Sequence, residues 1–361
     1  MALLLAPAEV GHKIAEWYSY IIAKELKQAQ KLKVEAYEMI DKMEEDDKMI
    51  AYYQLVSFRH DLLMARNQDS TTTNTQTLSP VEFQADDYLQ FMYYYVSGQH
   101  AFLQGKYKSA IRSYKVAEQL LEKVNDPAEK AEFLEKLGIS YYRINQYTFA
   151  TAYIEQALEY FGEHSNYKEN EINCEMVLAA IDTELTRFES AENRYMDVLE
   201  PSYQYPYTHA LVLHNMGLNR VTQNKLEEAL SFFEKALSIH EHAESIAGLK
   251  TKYYWFHIHL KLGRNLAGFV EMEVELKKHD LHEFKARCMI SRGLYIENSL
   301  SLVESGIREL EKNELFFECS EVSEEVSLFY ESKGDFPNAL KFSKLSNAMN
   351  KNQTKLGVDQ S

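Results

Sequence analysis

Four stretches of this chain place a small residue twelve positions before an alanine or its equivalent in a following segment. A bulky residue stands four positions after that alanine, and a small one three further on. Gly98, Ala110, Tyr114 and Ala117 satisfy the pattern in full, and so do Gly217, Ala229, Phe233 and Ala236. Gly138, Ala150 and Ala157 keep it with Ile154 at the aromatic place, and Ala179, Ala191, Tyr195 and Val198 keep it with one substitution. Weaker echoes fall at Ala267 and at Ala339, which follows Tyr330. Small residues at fixed spacing let two helices approach to about 8–10 Å, where a larger side chain would wedge them apart. A chain that repeats this constraint is expected to be all-α and to stack helix pairs, each covering its neighbour's apolar face.

The register is that of superhelical repeats of the tetratricopeptide type. The anchor alanines stand at 110, 150, 191, 229 and 267. That period, about 40, exceeds the usual ~34 and predicts longer helices. The gap from 267 to 339 spans two periods, which places a degenerate unit around Leu302–Ile307. About seven pairs would form a right-handed superhelix with a concave inner surface. Turn formers agree: 13 Gly and 6 Pro in 361 residues are too few for strands that need a turn every ~8–12 residues. The prolines, Pro7, Pro80, Pro127, Pro201, Pro206 and Pro337, fall where helices should start or stop.

Ahead of the repeats, Gly11 to about Arg66 reads as amphipathic helices. Ile14, Trp17, Tyr18 and Ile21 recur at helical spacing, as do Val34, Tyr37, Ile40 and Met43. Ile50, Tyr53, Leu55, Val56 and Leu62 continue after a charged break. Residues 68–77 are polar and lack an apolar face, the pattern of a flexible linker. The expected organisation is an N-terminal helical unit over 1–67, a linker over 68–82, a repeat domain over 83–350 and a tail over 351–361.

Charge narrows the function classes. Lys and Arg total 39 against 55 Asp and Glu, a net charge of −16. Such a surface repels phosphate backbones and anionic lipid, which disfavours direct nucleic-acid or membrane binding and favours a cationic ligand. The 25 Tyr and 18 Phe point to aromatic wedges between helices or to an aromatic-lined groove. Cys174, Cys288 and Cys319 are odd in number and lack C-x-x-C spacing, as expected of buried thiols in a reducing compartment. With no signal-like h-region and no long apolar run, a cytoplasmic protein is expected.

No enzyme signature stands out: there is no Gly-rich phosphate loop, no H-E-x-x-H and no G-x-S-x-G, and no cofactor is expected. The pairs His240/His242 and His257/His259 point to opposite sides of a helix and cannot chelate together. His279, His282 and Glu283 could share a face but lack a second cluster, so no metal is expected. The acidic run Glu44-Glu45-Asp46-Asp47 is either a solvated helix end or a docking edge. Asn215 stands in a first helix, where its amide could hold an extended peptide backbone or make an interhelix hydrogen bond. Glu184 and Glu283 lie in corresponding segments, facing either solvent or a groove where they would bind a ligand cation.

Several strings together resemble the Rap family of bacterial quorum-sensing regulators. They are Gly11-His-Lys-Ile-Ala-Glu-Trp-Tyr18, and Met43-Glu-Glu-Asp-Asp-Lys48 with Tyr52-Tyr53 and Phe58-Arg-His60. Lys130-Ala-Glu-Phe133 with Tyr141-Tyr142, and Ile258-His-Leu-Lys-Leu-Gly263, belong to the same set. The resemblance implies a three-helix bundle joined to a seven-repeat domain. The bundle would bind a target protein, and the groove a short imported Phr-type signalling peptide, commonly a pentapeptide with a basic residue, whose arrival releases the target. By segment similarity Asn215 falls at the family's peptide-backbone Asn, Glu283 at an acidic peptide contact, and Glu184 where members often have Asp.

Family members that dephosphorylate response regulators carry Gln in the Met-Glu-Glu-Asp-Gln block. Here that position is Asp47, whose carboxylate cannot donate the amide's hydrogen bond and repels a phosphoryl group. The expectation is therefore a non-catalytic, peptide-gated protein that sequesters a transcriptional regulator, with Glu45, Asp46 and Asp47 as target-binding candidates. An antirepressor acting on a mobile-element repressor is favoured and a response-regulator inhibitor is next. An aspartyl-phosphate phosphatase is the alternative, and homo-oligomerisation is left open.

Overall fold

A computed structural model describes residues 4–65, 86–264, 267–279 and 281–355. The fold is all-α, and the only strand-like pairing among the described residues is a single bridge between Leu5 and Met43. The expected linker at 68–82 lies outside the described residues, as do Pro80 and the last six residues of the expected tail. The chain divides into two compact units that meet between Ser202 and Tyr203.

The first unit opens with three mutually packed helices, α1 (Pro7–Ile22), α2 (Leu26–Ile40) and α3 (Asp47–Ala65). Three helix pairs follow: α4 (Asp87–Leu103) with α5 (Tyr107–Glu118), α6 (Pro127–Arg143) with α7 (Tyr147–Glu163), and α8 (Lys168–Glu184) with α9 (Phe188–Leu199). Pro7 and Pro127 open α1 and α6, where a missing amide hydrogen costs nothing. Ile14, Trp17, Tyr18 and Ile21 are buried as their spacing requires. In α2 the spacing misleads. Val34 and Tyr37 are exposed, and the core face is Ala29, Leu32 and Ala36. Small residues win that face because α2 lies close against α1, and the larger side chains are left outside.

The second unit holds α10 (Pro206–Thr222) with α11 (Leu226–Leu237), a short α12 (His240–Ala243), and α13 (Ile246–Lys261) with α14 (Gly268–Lys278). The last two pairs are α15 (His282–Tyr295) with α16 (Leu300–Lys312) and α17 (Phe316–Ser332) with α18 (Phe336–Lys355). Seven pairs are thus formed by the described residues. Helix α18 runs through residues 351–355, where a tail is expected from the sequence.

The small-residue register does the work assigned to it. A Cβ on Gly217 would stand 2.5 Å from the Phe233 ring, and one on Gly138 2.7 Å from Ile154. Ala110, Ala150, Ala191 and Ala229 are fully buried. The echo at Ala267 is accidental: that residue is exposed and precedes α14, whose buried face is Phe269, Met272 and Leu276. The degenerate unit lies where the period placed it, in α16, with Val303, Gly306 and Ile307 buried. A Cβ on Gly306 would stand 2.6 Å from Ile290, and one on Gly293 2.8 Å from Val303. Helix α15 ends two residues after Gly293, whereas α4 runs five beyond Gly98, so the same contact occurs at a shorter sequence spacing. In the last pair Ser327 stands twelve before Ala339 and donates to its carbonyl at 2.8 Å.

Candidate functional site

The acidic run sits between α2 and α3. Leu5 and Met43 pin its start, through Leu5 N donating to Lys42 O at 2.9 Å and Glu44 N to Leu5 O at 3.0 Å. Glu44, Glu45 and Asp47 are exposed. Asp46 is different: its Oδ1 accepts from Met49 N at 2.9 Å and its carbonyl from Ile50 N at 3.1 Å, so it caps α3. Asp47 is the first residue of that helix, where the dipole favours a negative charge. Lys48 pairs with Asp86, 2.5 Å away, and Asp86 in turn caps α4. The outward-facing candidates are therefore Glu45 and Asp47, with Asp46 fixing the turn that presents them.

The peptide candidates lie on first helices of their pairs. Asn215, on α10, is half-buried, and its side-chain amide has no hydrogen-bond partner among the described residues. Beside it His214 is held by Thr251, and the buried Leu213 and Met216 fix the helix against its neighbours. Glu283, in the first turn of α15, accepts from Arg287 Nε at 2.8 Å, while Arg287 Nη2 donates to Glu321 at 2.6 Å. Arg287 is buried, so two carboxylates share one guanidinium. Glu184 closes α8 in the first unit and is exposed.

Other first-helix side chains of the second unit form a second polar set. His257 Nδ1 lies 2.8 Å from Ser291 Oγ and its Nε2 3.0 Å from Glu325 Oε1. Tyr295 donates to Glu325 at 2.8 Å and Lys261 stands 3.6 Å away. Burial alone would push the Glu325 carboxyl up, but His257 and Lys261 outweigh it and hold the group well below the usual carboxylate range. Ser291 is fully buried and in hydrogen-bond reach of its own helix's Arg287 carbonyl, so this trio ties α13, α15 and α17 together rather than presenting a nucleophile.

The trio His279, His282 and Glu283 does not converge. His279 is 3.7 Å from Glu275, His282 3.6 Å from Glu309, and Glu283 holds Arg287. No group of three or more His, Cys, Asp or Glu among the described residues could hold a metal ion. No described helix is long and apolar enough to cross a membrane.

Sequence reasoning missed the polar joint inside the first unit. Glu129 and Glu132 project from α6 onto the three-helix bundle. Tyr18 donates to Glu129 at 2.6 Å and Tyr88 at 3.0 Å. Arg59, buried, reaches both Tyr18 Oη and Glu132 and lies over the Tyr18 and Tyr95 rings at 4.6 and 5.0 Å. A signal was present: Glu129, Glu132 and Lys136 recur at spacings that share one helix face with Ala128 and Phe133, a charged face with no solvent side.

Residues 4–65 match the family model described as response regulator aspartate phosphatase H, N terminal. Over 268 residues the chain is 32% identical to the regulatory protein RapG of Bacillus subtilis (strain 168), covering 73% of this chain and 70% of that one. This chain belongs to the Rap family. It is also 39% identical over 368 residues to a Rhodococcus hoagii protein named type II methyltransferase M.CeqI, covering all of this chain and 71% of that one. That name describes the Rhodococcus protein. Among solved structures, a Rap protein complexed with competence and sporulation factor matches with a TM-score of 0.87 at 24% identity, over 97% of this chain and 99% of that one. The Rap conjugation gene regulator of plasmid pLS20, in complex with the Phr* peptide, matches with a TM-score of 0.74 at 23% identity, over 99% and 100%. Both likenesses place the Rap fold on nearly the whole chain.

Proposed function

We propose that this Rap protein is a peptide-gated regulator that sequesters a transcriptional regulator and releases it when a short signalling peptide binds. The observation that carries the reading is Asn215, whose half-buried amide offers a donor and an acceptor with neither engaged. An extended peptide backbone has that complement at each residue. The net charge of −16 suits a peptide with a cationic residue. On this reading Glu283 contacts the cation from its place beside Arg287, which it shares with Glu321. The target docks on the N-terminal bundle, where Glu45 and Asp47 face outward.

Replacing Asn215 by Ala should leave buried peptide groups unpaired, at a cost of about 1–3 kcal/mol, or roughly 5- to 150-fold in affinity. Asn215→Ala tests the groove more cleanly than Glu283→Ala, which would also strip Arg287 of a partner. The assay is capture of the target from host lysate, then release by a pool of host-derived short peptides. Wild type should capture and release; Asn215→Ala should capture equally and need more peptide for release. Equal release by both proteins would remove Asn215 from the peptide site.

The target role is non-catalytic on this reading, and the antirepressor form is preferred. Asp47 stands exposed at the start of α3, a carboxylate where the family's phosphatases place an amide. The pLS20 relative, named a conjugation gene regulator, is consistent with a target that controls mobile-element transfer. No acceleration of phosphate loss from a phosphorylated receiver domain is expected. Turnover abolished by Asp47→Ala would establish the phosphatase instead.

A further inference from the structure

The pair α17/α18 repeats the register of α10/α11. Counted from their anchors Ala339 and Ala229, Leu328 matches Leu218, Phe336 matches Leu226 and Leu340 matches Leu230. In the earlier pair those three leucines share one apolar cluster with Trp255 and Ile258, the side chains by which α13 covers the pair. Leu230 is 4% exposed there. In the later pair the large apolar side chains are kept, but no described helix stands in α13's place, and Leu328, Phe336 and Leu340 are 58%, 66% and 56% exposed. A face shaped to receive a helix is open. Two positions on it differ. His214 and Val221, which also turn towards α13, are replaced by Glu324 and Glu331. The occupant must therefore present apolar side chains together with cations.

The chain itself supplies such a helix. Helix α17 carries five Glu and no Lys or Arg, and α18 carries four Lys and no Asp or Glu. The charges on the side of α15 and α16 are engaged: Glu321 holds Arg287, Glu325 stands against His257, and Lys341 pairs with Glu304. Glu324, Glu331 and Lys344 are exposed and form no ion pair among the described residues. Lys344 lies one turn beyond Leu340, on the same side of α18. An acidic helix, a basic helix and an apolar strip between them make a self-complementary surface. A two-fold axis through the strip would set α17 of each copy against α18 of the other, carboxylates against ammonium groups.

We propose that the α17/α18 face is a homodimer interface, in which a second copy of this chain takes the place that α13 holds on α10/α11. Leu328, Phe336 and Leu340 of both copies form its apolar centre, and Glu324 and Glu331 of each copy pair with Lys344 of the other. Because these side chains are exposed in the single chain, each copy folds before it associates, and the dimer depends on protein concentration. The interface lies wholly in the second unit and is independent of whether a peptide or any particular target binds.

Sedimentation velocity of the full chain without peptide, over about 1–100 μM, should show monomer giving way to dimer. Leu340→Asp puts a charge in the apolar centre and should raise the dissociation constant at least about tenfold. Its helical circular dichroism should not change, since the side chain is exposed. Charge exchange then identifies the occupant. Lys344→Glu alone and Glu324→Lys with Glu331→Lys alone should each associate less than wild type, because like charges meet across the two-fold. An equimolar mixture of these two proteins should form a heterodimer, in which both α17–α18 contacts again join opposite charges. A dimer untouched by Leu340→Asp, or a mixture no more associated than its components, overturns the proposal. A wild-type protein that stays monomeric throughout overturns it too; if a chain cut after Lys355 then associates, residues 356–361 are the occupant instead.

Discussion

Arg59→Met should destabilise the first unit by about 3–5 kcal/mol, the usual cost of stranding one member of a buried ion pair. Arg59 and Glu132 are 2% and 4% exposed, so neither can recover water when its partner is removed. The methionine replaces much of the arginine's packing over Tyr18 and Tyr95, which leaves the uncompensated Glu132 charge as the main loss. The measurement is urea unfolding followed by Trp17, which is fully buried in the bundle. Trp255 is the second of the two tryptophans and lies in the other unit, so Trp255→Phe isolates the signal. The double variant Arg59→Met with Glu132→Gln should recover a large part of the loss, because it removes the stranded charge. A single-variant loss below about 1 kcal/mol would mean that the pair is solvated.

What the sequence made legible follows from what periodicity can encode. A glycine opposite a bulky side chain is a short-range constraint repeated along the chain, so Gly98, Gly138 and Gly217 announce their pairs. The pair at Gly293 obeys the same contact but was visible only through the period, because α15 ends early and shortens the spacing. Ala267 shows the converse, an alanine at the expected position whose helix begins one residue later. At the candidate site, sequence could name Asn215, Glu184 and Glu283 but not their partners. That Arg287 binds Glu283 is an i,i+4 relation on one helix; that it also binds Glu321 is a tertiary fact carried by no spacing. Asp46 was grouped with its acidic neighbours, and only the backbone geometry separates a helix cap from exposed carboxylates. The Glu129–Tyr18 and Arg59–Glu132 contacts join residues 111 and 73 apart, beyond any pattern a single chain displays.

Mild acid should weaken the second unit well before its carboxylates protonate. Thr251 on α13 donates to the Ala247 carbonyl at 3.0 Å, so its oxygen accepts from both His214 Nδ1 at 2.9 Å and His242 Nε2 at 2.8 Å. That arrangement fixes both tautomers and leaves His242 Nδ1 bare, buried and without a partner. Protonating His242 there would bury a charge with no acceptor. Burial, with Lys252 nearby, lowers His242 to about 4. Burial, then His242 and Lys250, lowers His214 to about 3. Both titrate near 6.5 when unfolded, so the unfolded chain binds protons first as pH falls. Stability supplied by these neutral rings is complete above about 6.5 and is lost on descent towards 4. The rate of loss is about 1.4 kcal/mol per pH unit for a fully buried ring. At pH 5 His242 alone should therefore cost the unit about 2 kcal/mol, with His214 adding in the same direction. Glu325, held well below the ordinary carboxylate range, stays ionised across this window and cannot mimic the effect. Unfolding followed by Trp255 in a Trp17→Phe protein should show a lower midpoint at pH 5 than at pH 7. In His242→Gln with His214→Gln the difference should shrink to a residue set by the exposed groups. An undiminished pH difference in the double variant would place the acid sensitivity outside the Thr251 cluster.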